Sequence, residues 1–96
     1  MARIGMFNKI GDNYRGFICT INISISVDIK TLPVDNTSDY IVMHGIREIG
    51  RGWRRIDRHE VSYISLKIDD PAFPSPIYAT LVKNGLSDDY DLEWSR

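Results

Sequence analysis

Cysteine is nearly absent: Cys19 is the only one in 96 residues, which excludes an internal disulfide and a cysteine-cluster zinc site. Histidine is scarce too. His44 and His59 are the two present, and they show no His-x-x-x-His spacing. No apolar run approaches the roughly 18–20 residues of a membrane-spanning helix, and the opening Met1-Ala2-Arg3-Ile4-Gly5 has no signal-peptide apolar region. Net charge is −1, so no global field draws the chain onto DNA or an anionic membrane. Ser65 and Ser75 lack a nucleophile elbow, and no glycine-rich loop resembles a P-loop. These absences point to a cytoplasmic, non-catalytic binding protein, with no cofactor, metal, membrane or small-molecule substrate expected.

What is present is a globular β-rich chain. Apolar residues make up 43% and charged residues 26%, the balance of an ordinary folded domain. Its length fits one domain over 1–96. From 17 to 29, Phe17, Cys19, Ile21, Ile23, Ile25, Val27 and Ile29 occupy every odd position, with Ile18 the exception. A period of two rich in β-branched residues marks a half-buried strand, long enough to require a bend or bulge. On that stripe Cys19 is expected to pack in the core.

Other strands are expected over 4–10, 40–44, 46–55, 62–68, 77–82 and 90–94. Turns are expected at Gly11-Asp12-Asn13, Gly45, Arg58-His59-Glu60 and Asn84-Gly85, the last extended by Ser87-Asp88-Asp89. Leu32 opens a polar connection that runs to Asp39. Gly50 and Gly52 suggest a bulge or a close backbone approach. Three prolines within 71–76 forbid a central strand there, and a short helical turn fits near 70–73. The fold expected is all-β: a small antiparallel barrel or two-sheet sandwich of about six to seven strands.

Several stretches resemble a known family. Ile4-Gly5-Met6-Phe7, Gly16-Phe17-Ile18-Cys19-Thr20, Glu48-Ile49-Gly50 followed by Trp53, and Leu92-Glu93-Trp94-Ser95-Arg96 all match it. The most specific piece is Tyr63-Ile64-Ser65-Leu66-Lys67-Ile68-Asp69-Asp70-Pro71-Ala72-Phe73-Pro74-Ser75-Pro76-Ile77-Tyr78-Ala79. With these the chain resembles domain-of-unknown-function family 736 over nearly its whole length. The resemblance implies a short bacterial protein of a kind common on plasmids and conjugative elements, and no catalytic residue comes with it. Two places depart from the family pattern: Arg51-Gly52 stands where relatives carry small residues, and Ser38-Asp39-Tyr40-Ile41 where they carry Pro-Asp-Tyr-Arg.

The richest constellation is basic. Arg47, Arg51, Arg54, Arg55 and Arg58 cluster around Trp53, with Tyr63 and Lys67 on the next strand. Guanidinium forks bind phosphates and aromatic faces stack on unpaired bases. Alternation separates Arg51, Trp53 and Arg55 from Arg54, and Glu48, Asp57 and Glu60 dilute the charge. The plainer reading is a solvated hairpin with Trp53 in the core. Asp69-Asp70-Pro71 reads as a turn rather than a metal site, because adjacent strand carboxylates point apart.

Phe73 and Tyr78 on the proline-rich loop, and Asp88 and Asp89 in an acidic segment with Asp91 and Glu93, offer a protein-contact surface. The first functional expectation is a mobile-element accessory protein that contacts nucleic acid through its arginine-rich hairpin. The alternative is a small inhibitor of a host defence complex, of anti-CRISPR type, acting by protein–protein contact. A third, metal-dependent hydrolysis at Asp69, Asp70 and His59, ranks last. Partners are thus nucleic acid or a host or element protein.

Overall fold

Alternation decides which side of each strand is buried, and turns decide where one strand gives way to the next. The computed structural model describes residues 2–21, 23–33, 37–71, 73–85 and 88–94. Among the described residues eight strands run in chain order: β1 (Ala2–Ile10), β2 (Asn13–Cys19), β3 (Ser24–Thr31), β4 (Tyr40–His44), β5 (Arg47–Ile56), β6 (Ser62–Ile68), β7 (Ile77–Lys83) and β8 (Asp89–Trp94). Each pairs antiparallel with its sequence neighbour, and β8 returns to β1 to close the barrel. No helix occurs among the described residues, and Pro71 sits in a simple turn in which the Phe73 N–H donates to the Asp70 carbonyl.

The all-β barrel agrees with the sequence. Its eighth strand arises because the alternation from 17 to 29 belongs to two strands. β2 ends at Cys19 and β3 begins at Ser24, with Ile18 opposite Ile25, and the Thr20 N–H donates to the Ile23 carbonyl across the turn (2.7 Å). The inward face therefore changes parity. In β2 the even positions Tyr14 and Ile18 are buried and Phe17 is 46% exposed; in β3 the odd positions Val27 and Ile29 are buried. Cys19 consequently lies on the surface, not in the core. Ile18, the apparent exception to the stripe, is fully buried.

The interior is packed rather than hollow at mid-height. Ile18, Val27, Ile29, Val42, Leu66, Ile68, Leu81 and Leu92 are all fully buried. Each contributes about 1.5–3 kcal/mol by leaving water. Two bulges shape one end of the barrel. The register shifts between Arg3 and Gly5 against β8, and between Val42 and Met43 against β5. Each adds an inward apolar residue, Ile4 and Ile49, at the rim. Of Gly50 and Gly52, Gly50 makes the expected close backbone approach, since a Cβ there would meet the Lys67 carbonyl and the Ile68 Cα. At Gly52 a Cβ would instead meet the Leu66 side chain, with Cδ2 at 2.5 Å. Residues 34–36 of the polar connection, Ser87 in the β7–β8 turn, Ala72 in the proline-rich loop, and Ser95 and Arg96 of the closing motif lie outside the described residues.

Candidate nucleic-acid interface

β5 and β6 are joined by the hairpin whose tip carries Arg58-His59-Glu60, and Asp57 fixes that turn. Its Oδ1 accepts the backbone N–H groups of His59 (2.8 Å) and Val61 (3.0 Å). Glu60 adopts φ 63°, a left-handed conformation that a non-glycine residue holds at a cost. Register then sets the faces. Ile64, Leu66 and Ile68 are buried, so their partners Arg54, Gly52 and Gly50 also turn inward. The alternate residues of both strands face out.

The outward rows are in register. Arg51 lies opposite Lys67, which lies opposite Tyr78; Trp53 lies opposite Ser65 and then Thr80; Arg55 lies opposite Tyr63. Neighbouring strands are about 4.8 Å apart. Arg51, Arg55 and Lys67 therefore share one wall with Trp53, Tyr63 and Tyr78. Lys67 Nζ sits 6.0 Å from the Tyr78 ring centroid, within cation–π reach. Tyr78 is 57% exposed.

Trp53 is half-buried on this outer wall rather than in the core, and its Nε1–H donates to the Thr37 carbonyl at 3.1 Å. That bond holds the indole against the segment that leads into β4. Arg51 is the most restrained cation of the wall. Its Nε and Nη2 donate to both oxygens of Glu48 (2.9 and 3.1 Å), and its Nη1 donates to the buried Ser38 Oγ (3.2 Å). Among the described residues, no carboxylate stands within ion-pair distance of Arg55, Arg58 or Lys67.

Two arginines of the sequence cluster lie elsewhere. Arg47 sits at the bulged end, where its Nε donates to Asp70 Oδ1 at 2.6 Å. Asp70 is thus tied to Arg47 and, through its carbonyl, to the turn at Phe73. Arg54 points into the opposite mouth, where its Nη2 donates to the Tyr40 hydroxyl at 2.9 Å.

The residues suggested for hydrolysis do not converge. His59 is at the β5–β6 tip and Asp69 and Asp70 follow the far end of β6, a seven-residue strand spanning roughly 20 Å. Among the described residues, no group of three or more His, Cys, Asp or Glu side chains is placed to hold a metal. The suggested protein-contact set is equally dispersed. Phe73 is half-buried at the bulged end and packs against the core, Tyr78 is on the outer wall, and Asp88 and Asp89 are exposed beyond the other end of β7.

Each mouth of the barrel holds a cavity that the motifs did not reveal. The bulged end has a cup of about 1040 Å³ lined by Ile4, Ile25, Ile49, Phe73, Ile77 and Trp94, with Arg47 and Asp70 at its side. His44 also lines it, its Nδ1–H donating to the Ser26 carbonyl at 2.6 Å. At the other end Tyr14, Tyr40 and Tyr90 meet Arg54 around a cavity of about 490 Å³. Burial pushes the Tyr14 hydroxyl well above the ordinary tyrosine range, and Tyr40 and Tyr90 reinforce this. The hydrogen bond to Tyr40 raises Arg54 in turn. Phase was the available signal: Tyr14, Tyr40 and Tyr90 each share parity with a buried strand neighbour, Ile18, Val42 and Leu92.

The outward positions of β2 and β3 include Arg15, Ser26 and Asp28, with Arg15 Nε donating to Asp28 Oδ1 at 2.9 Å. No described helix is long and apolar enough to cross a membrane. Neither the curated proteins nor the solved structures include a match to this chain. A family model described as a protein of unknown function, DUF736, matches residues 3–96. The match takes in all of β2 to β8 and nearly all of β1, and the chain belongs to the DUF736 family.

Proposed function

We propose that the protein is a non-catalytic binding protein of the cytoplasm whose β5–β6–β7 outer wall holds single-stranded nucleic acid. One observation carries this reading: strand register assembles Arg55, Lys67 and Arg51 with Trp53, Tyr63 and Tyr78 on one continuous face. Cations along a strand engage successive phosphates, while aromatic faces take unpaired bases without demanding a sequence. An extended strand suits a convex barrel wall better than a duplex does, since bases can splay onto separate side chains. Arg58 at the hairpin tip extends the same charge. Carriage on mobile elements, which the family resemblance implies, fits a protein that handles single strands during transfer.

The test is equilibrium binding of labelled single-stranded DNA, single-stranded RNA and duplex DNA across a salt series. Three phosphate contacts predict a slope of log K against log salt near −2, at about −0.7 per contact on single strands. Arg55→Ala combined with Lys67→Ala is expected to weaken binding at least tenfold and flatten the slope. Absence of single-strand binding at low salt overturns the reading. A tight complex with one protein that persists in the double variant would then favour the inhibitor alternative.

A further inference from the structure

The tyrosine-lined mouth is a second charged region, separate from the outer wall. Lys9 lies opposite Tyr14 and Lys83 opposite Tyr90. Since both tyrosines line the mouth, the register turns both lysines towards it. Arg54 comes from the facing strand. Its guanidinium carbon is 5.8 Å from the Tyr40 ring centroid while Nη2 bonds the Tyr40 hydroxyl. The rings are fixed as well: Tyr14 packs edge-on to Tyr40 at 6.2 Å and to Tyr90 at 5.0 Å between centroids.

Charge at this mouth is unbalanced. Lys9, Lys83 and Arg54 line the cavity with one described carboxylate, Asp12, and a second, Asp39, stands beside Arg54, where its Oδ2 accepts the Arg54 backbone N–H at 2.8 Å. No described carboxylate lies within ion-pair distance of those three cations. Gathering like charges around a concave site costs stability and focuses a positive potential into it. A fixed guanidinium offers a bidentate donor fork, and two lysines supply mobile charge around it. A volume of about 490 Å³ falls within the roughly 300–1,000 Å³ of small-ligand sites. The cavity therefore has room for more than a bare anion.

We propose that this mouth binds a phosphate monoester carried on an aromatic group, of the mononucleotide class. Arg54 and the two lysines hold the phosphate, and the tyrosine ring edges pack against the base. Such an ester comes from two sources, a free mononucleotide or the 5′-phosphorylated end of a strand. The site stands whether or not the outer wall binds nucleic acid.

The experiment is calorimetric titration of the whole protein with adenosine 5′-monophosphate, adenosine and inorganic phosphate, and with a short oligonucleotide bearing either a 5′-phosphate or a 5′-hydroxyl. Saturable binding of the monophosphate is expected, with adenosine and inorganic phosphate each at least tenfold weaker. Arg54→Gln should lower the monophosphate affinity at least tenfold. Arg15→Gln, on the outward face of β2 and away from both surfaces, should leave it unchanged. A preference for the 5′-phosphorylated over the 5′-hydroxyl oligonucleotide that Arg54→Gln abolishes identifies the strand end as the ligand, and equal affinity for the two oligonucleotides identifies the free mononucleotide.

Lys9→Gln combined with Lys83→Gln, at exposed positions, provides a second variant set should Arg54→Gln unfold, as judged by circular dichroism. The proposal is overturned if the monophosphate does not bind at millimolar concentration, or if the Arg54 and lysine variants, still folded, bind it as the parent does.

Discussion

Arg54 and Arg55 are adjacent in sequence and belong to opposite environments. Arg55 faces out on a convex wall in register with Tyr63, where solvent screens its charge and neighbours add to it. Arg54 faces into a concave mouth, bonded to Tyr40 among three tyrosine rings. One strand thus serves two surfaces by alternation alone. A change at one position should therefore be silent at the other, provided that the barrel between them stays closed.

The severest way to break this separation is to open the barrel. Gly50→Val places a branched side chain against the Lys67 carbonyl and the Ile68 Cα of the β6 backbone. Overpacking costs typically 1–3 kcal/mol where neighbours yield, and more where they cannot. Loss of the folded state, read by circular dichroism, is expected here, with both surfaces lost together. Leu66→Ala should remove about 2–5 kcal/mol by leaving a cavity at the centre of the core. Chemical denaturation measures that loss, and binding per folded molecule should be retained.

Subtler changes sharpen the comparison. Glu60→Gly relieves the left-handed conformation at the hairpin tip and removes an acid beside Arg58. A gain of up to about 1 kcal/mol in stability should accompany tighter single-strand binding at low salt.

The smallest expected effect is a pH dependence confined to the mouth. Tyr14 is raised above its ordinary value of 10.0, chiefly by burial, so the folded state favours its neutral form. Its contribution to stability is full below about pH 10 and is lost as pH rises through the folded value. In an ultraviolet titration of tyrosinate, Tyr14→Phe should therefore remove a late, high-pH component. If the component that disappears titrates near pH 10 instead, Tyr14 is not buried as described.

Much of the architecture was legible because strands with one buried face announce themselves. β4 and β6 fall where alternation places them, and Gly11, Gly45 and Gly85 mark turns with positive φ. The boundary between β2 and β3 was not legible. Thr20, Ile21 and Ile23 continue the alternation through a turn that lacks glycine and proline, and Ile21 ends fully exposed. Pattern alone cannot show a change of parity there, which is why Cys19 and Ile18 exchanged expected roles.

The wall was partly legible. Alternation separated Arg54 from Arg51 and Arg55, but only register could show that Arg51 and Arg55 meet Lys67 and Tyr63. The mouth was the least accessible to sequence. Tyr14, Tyr40 and Tyr90 converge from β2, β4 and β8, and nothing local requires those strands to close into one ring.

The most direct measurement is a titration of isotope-labelled protein with a short single-stranded oligonucleotide lacking a 5′-phosphate, followed by amide chemical shifts. The largest changes are expected at Arg51, Trp53, Arg55, Tyr63, Ser65, Lys67 and Tyr78, with little change at Tyr14 or Tyr90. Changes centred on another wall, or none at saturating strand, would contradict a nucleic-acid surface on β5–β6–β7.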